Sequence, residues 1–168
     1  MKKFTFCLKI SLISAFCVCL CAFSDPEPIA QYAGFLQKSF TDHYDDHQEN
    51  NRIKRYELNV TNSGFCRYKL YYSNGKTEYF AFKLSKFKDM DYYGTTVSGK
   101  LYLHTKGDDV IVQTYKDRGG DVDSMATQLI IPMKNIEAED LNQIRDNLEK
   151  IVKLPPAEMP KVEVKSED

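Results

Sequence analysis

The chain has 168 residues, a formal net charge of −1, no tryptophan and 11 tyrosines. A length of this order suits one domain with a single core, and a balance without any basic run excludes nucleic acid as an expected partner. Five cysteines do not make a disulfide scaffold here: four lie within the first 21 residues, and only Cys66 stands in the body of the chain.

Residues 1–24 have the pattern of a secretory signal, with Lys2 and Lys3 ahead of an apolar run from Ile10 to Phe23 and a small-x-small site at Ala22-Phe23-Ser24. The run covers about 14 residues, short of the roughly 20 that span a bilayer, so the mature chain is expected to be non-spanning and periplasmic or secreted. A lipid anchor on Cys17, Cys19 or Cys21 is disfavoured, because the residues before them are Phe16, Val18 and Leu20 where acylation wants a small side chain. Loss of the signal removes Lys2, Lys3 and Lys9 and no acidic residue, which leaves a mildly acidic domain over 25–154.

The first mature element is predicted as a helix. Asp25 can cap it, Pro26 suits its first position, and Ile29, Tyr32, Leu36, Phe40, His43 and His47 recur at steps of three and four. From Ile53 the period changes to two, which predicts strands over about 53–61, 65–72 and 77–84. "SNGK" reads as a two-residue type I′ turn at Asn74-Gly75, a register in which Leu70 faces Tyr79 and Tyr68 faces Ala81. Ser85 to Gly94 reads as a loop. A second hairpin is expected from 95–105 and 109–116 through "KGDD", with Val97, Leu101 and Leu103 inward, and "MATQLIIPM" supplies a sixth strand ended by Pro132. A last helix is predicted over 137–153, with Leu141, Ile144, Leu148, Ile151 and Val152 on one face and acidic residues at its positive end. Residues 155–168 are too polar to fold and read as a disordered tail.

Two helices bracketing about six antiparallel strands define an α+β domain, its strands forming a bent sheet or small barrel capped by the carboxy-terminal helix. The order of elements, and only the order, is similar to the pleckstrin-homology arrangement; no motif ties the chain to that family.

No catalytic or cofactor-binding motif is complete. His43 and His47 have the i, i+4 spacing of zinc ligands, with His104 as a conceivable third, yet Tyr44 stands where a zinc hydrolase carries its glutamate. The bland alternative is that both rings continue the packing stripe. Asp117, Asp121 and Asp123 in "KDRGGDVDS" miss the calcium-loop spacing and read as an inter-strand turn. Cys66 sits mid-strand without the helix amino terminus that would activate a thiol, and "SGK" at 98–100 is no phosphate loop. What remains is a concentration of tyrosines, Tyr68, Tyr71, Tyr72, Tyr79, Tyr92 and Tyr93, interleaved with Arg67 and Lys69. Large rings ordered at low entropy suit a contact surface, although tyrosine is also an ordinary strand residue. The reading is an exported, non-catalytic binding domain that uses this patch against an envelope or extracellular protein, a glycan or an apolar ligand. A metal-dependent enzyme on His43 and His47, or a carrier with an apolar molecule in a barrel, is the alternative.

Overall fold

A computed structural model describes residues 28–47 and 52–155. The signal segment, the helix cap at Asp25 and Pro26, and the tail beyond Pro155 lie outside the described residues. The fold is α+β: helix α1 (Pro28–His43), eight antiparallel strands and helix α2 (Ala138–Lys153). The strands are β1 (Ile53–Val60), β2 (Phe65–Tyr72), β3 (Thr77–Lys83), β4 (Phe87–Gly94), β5 (Ser98–Thr105), β6 (Val110–Tyr115), β7 (Asp123–Ala126) and β8 (Gln128–Lys134).

The strands pair into a five-stranded sheet in the order β1-β2-β3-β6-β7 and a three-stranded sheet in the order β4-β5-β8. The two sheets are halves of one bent meander. β3 and β4 are consecutive pieces broken by the 3-10 turn Leu84–Lys86, β5 and β6 are pieces broken at 106–109, and β7 and β8 break at Thr127. Because β3 pairs β6 while β4 pairs β5, the long third strand runs beside the long fourth throughout. Lys106 N–H donates to Lys86 C=O at 3.0 Å and Thr105 N–H to Thr127 C=O at 2.8 Å, so backbone bonds stitch the crease. The sheet is bent and not closed.

Several sequence expectations change accordingly. Residues 85–94 form the crease and β4, not a loop, and 95–105 with 109–116 is no hairpin but one bent strand. Val97 is 68% exposed in the β4–β5 turn, while Leu101 and Leu103 are buried. Pro132 does not end β8; it sits within it, where its missing N–H breaks no ladder bond because, among the described residues, no continuous strand pairs with that side of β8. The β2–β3 register is one residue off the two-residue-turn expectation: Tyr71 faces Thr77, Leu70 faces Glu78 and Tyr68 faces Phe80. The cause is a longer loop. Within it Gly75 alone takes positive φ (89°), Tyr72 N–H donates to Lys76 C=O, and Gly75 N–H to Tyr72 C=O, the turn-plus-bulge geometry in which a single loop residue is left-handed.

The helices fill the hollow of the bend. α1 buries Ile29, Ala33, Leu36 and Phe40 and lies against α2, β1 and β8; α2 buries Ile144, Leu148 and Ile151 and lies against β4 and the 3-10 turn. A reciprocal capping box between Glu137 and Asp140 starts α2. α1 also covers a sheet edge: the Gln37 amide donates to Leu58 C=O at 3.1 Å and accepts from Val60 N–H at 2.6 Å, supplying the partner that the outer side of β1 lacks. α1 ends at His43, so the stripe does not reach His47. Tyr44 instead bridges to Met133, and Asp45 N–H donates to Pro132 C=O at 3.1 Å. None of the described helices is long and apolar enough to cross a membrane.

Candidate functional site

Strand alternation and the observed register divide the tyrosines among three surfaces. The outer face of the five-stranded sheet carries Arg67, Lys69, Tyr71 and Tyr79, in rows such as Glu57–Lys69–Tyr79–Gln113. There Arg55 lies 4.1 Å over the Tyr71 ring, and Tyr71 donates to Glu57 at 3.1 Å. Tyr92 and Tyr93 stand on β4. Tyr92 donates to Thr95 C=O at 2.7 Å, its hydroxyl held up in pKa by burial first and by the charge of Asp45 second. Tyr93 is exposed and meets Tyr102 edge-on at 5.2 Å. Of the candidate tyrosines on the five-stranded sheet, Tyr68 and Tyr72 turn to the inner, concave face. The single tyrosine patch expected from sequence therefore does not form.

That inner face holds a cleft, a space of about 480 Å³ between the concave sheet and β8. Its floor is Leu70, Phe80, Val112 and Ala126, and its wall is Ile130 and Pro132. Tyr68 closes one end. It is 2% exposed, shares a 2.7 Å hydroxyl contact with Tyr44, and Tyr44 in turn stacks on Tyr56 at 3.7 Å between ring centroids. Tyr72, Glu78, Ser124 and Lys100 supply the polar rim. Of the sequence candidates only Tyr68 and Tyr72 belong here; no motif marks the rest of the lining. The observed hairpin register pairs Phe80 with Tyr68 and Glu78 with Leu70, and that register is the one signal that could have found part of it.

The rim is electrostatically uneven. Glu78 accepts from the Tyr72 hydroxyl at 2.7 Å and lies 2.8 Å from the Lys76 ammonium. Lys76 also reaches Asp117 at 2.8 Å, and hydrogen bonds to Asp117 and then Glu78 push its pKa up to about 12. Among the described residues no carboxylate forms an ion pair with Lys100.

The histidines do not converge. The His43 ring faces Lys134 C=O at 3.2 Å through Nδ1 and Asp140 at 3.9 Å through Nε2; the His47 side chain is 86% exposed; His104 lies on β5, 3.0 Å from Asp91. Among the described residues there is no group of three His, Cys, Asp or Glu side chains that could hold a metal ion. The "KDRGGDVDS" loop is occupied by its own bonds, Gly119 N–H to Asp117 and Asp117 N–H to Asp121. Cys66 is fully buried, and burial pushes its thiol up to about 12, the opposite of activation. A second depression beside His104 has its acids already engaged, Asp91 by His104 and Asp89 by Arg145, whose bond adds to that of Met90 N–H in holding the Asp89 carboxyl below the ordinary range. No family model, curated protein or solved structure matches the chain.

Proposed function

We propose that this is an exported, non-catalytic binding domain of the cell envelope or exterior, and that it holds an apolar ligand in the cleft between the concave sheet and β8. The observation that supports this reading is the cleft itself. Its volume of about 480 Å³ falls within the range of ligand sites, and an apolar floor ringed by a few polar groups is their usual composition. A flat protein or glycan contact on the outer face is less favoured, because the tyrosines expected to form it are divided. A metal-dependent reaction on His43 and His47 has no observation in its favour.

The test is a ¹H–¹⁵N spectrum of the protein titrated with decanol, a neutral apolar probe. Shifts confined to Leu70, Phe80, Val112 and Ala126, and lost in the mouth-filling variant Ser124→Trp, are expected. Shifts at Tyr71 and Tyr79 instead would return the contact surface to the outer face. Export is checked separately, by fusing residues 1–24 to a reporter that is active only outside the cytoplasm.

A further inference from the structure

We propose that the cleft selects an amphipathic carboxylate, its apolar chain on Leu70, Phe80 and Val112 and its headgroup beside the Lys100 ammonium. This rests on the cleft being the ligand site. Two charged side chains line the cleft, and they are not equivalent. Glu78 is engaged twice, by the Tyr72 hydroxyl and by Lys76, so its charge is offset. Among the described residues Lys100 has no such carboxylate. Nor is its neighbour available to share one: Lys134, on the adjacent strand, is taken by Asp46 at 2.7 Å.

The placement of Lys100 matters as much as its charge. It stands on β5 directly across from Pro132, two positions along β8 from Ile130, so the cation borders the apolar wall. The backbone adds a second donor. Pro132 C=O points away from β5 to reach Asp45 N–H, and the two-residue period of a strand sends Ile130 N–H to the same side. Among the described residues no strand pairs with β8 there at Ile130; its bridge on this side is at Met133. An ammonium and an outward N–H beside an apolar floor suit an anion with an apolar tail. A neutral analogue gains the floor alone, and a cationic one is repelled.

Calorimetric titration with decanoate, decanol and decyltrimethylammonium, each below its micellar concentration, tests this. Decanoate is expected to bind one to one and about fivefold more tightly than decanol, the scale of one partly exposed charge contact, with the advantage shrinking as salt rises. Decyltrimethylammonium should bind most weakly. Lys100→Glu, a surface change that leaves the core intact, should reverse the order of anion and cation. Equal affinity for decanoate and decanol, or no effect of Lys100→Glu, overturns carboxylate selection while leaving the cleft as the site. Binding of none of the three, or binding of all three undiminished in both Ser124→Trp and Ala126→Trp proteins that retain the native spectrum, overturns the cleft reading itself.

Discussion

Cys66 shows how position outweighs residue type. Its neighbours Val60 and Phe82 across the sheet leave it no exposure, and the thiolate is therefore denied in the folded state. The unfolded chain releases this proton in the ordinary thiol range, whereas the folded chain holds it up to about 12. Protons are then bound more tightly by the native state, so stability is intact below the ordinary thiol pKa and falls as pH rises toward 12. Lys76, raised to a similar value, adds a loss of the same sign. Comparing urea unfolding of wild type and Cys66→Ala between neutral and alkaline pH isolates the thiol: the variant should lose less stability over that window. A parallel loss in both would show that the thiol is not the source. The tyrosines teach the same lesson in reverse. Their abundance is plain from the sequence, and strand alternation alone sets Tyr71 opposite Tyr68 and Tyr72, but the side on which Tyr79 falls depends on a one-residue choice of register, and that choice pairs it with Lys69 instead of Leu70.

At the scale of elements, two glycines of opposite character test the local reading. Gly75 closes the β2–β3 loop with φ of 89°, a conformation that costs an L side chain about 1 kcal/mol, so Gly75→Ala should lower stability by about that amount. Gly34 is an exposed residue inside α1, and a methyl group added there meets nothing within 4 Å. Gly34→Ala should raise stability by about 0.5 to 1 kcal/mol, the helix-propensity gain. Thermal unfolding of the two variants side by side checks both signs. Elements with strong periodicity and clean punctuation were legible: β1 to β3, α2 with its acidic start and double-proline stop, and the buried stripe of α1 up to Phe40. The crease was not. Alternation marks a segment as strand but does not say whether the next strand turns back beside it or continues it around a bend. The breaks at 84–86 and 106–109 resemble an ordinary loop and turn in sequence, Thr127 lies inside what reads as a single strand, and all three act as corners in space.

For the whole molecule, the cleft was invisible to motif reading because no local stretch encodes it. Its lining comes from β2, β3, β5, β6, β7 and β8, and it exists only because the meander folds back over its own concave face. The fold class, by contrast, follows from the count and order of elements and survives every error of pairing. The bent meander is built from pairings between strands that are near neighbours along the chain. The junction of α1 with β8 is of another kind: His43 meets Lys134 across 91 positions, and Asp45, buried, accepts from Ser98 Oγ at 3.0 Å and donates its own N–H to Pro132 C=O. Closing so long a segment costs chain entropy that only a largely assembled sheet can repay. This junction should therefore form after the folding barrier. Asp45→Asn, which weakens a charge-assisted bond, should speed unfolding several-fold and leave the refolding rate nearly unchanged in stopped-flow urea jumps. A refolding rate slowed in the same proportion would instead place this seam in the nucleus. On the expected outcome, the tie between two distant parts of the chain guards how long the protein stays folded, not how fast it folds.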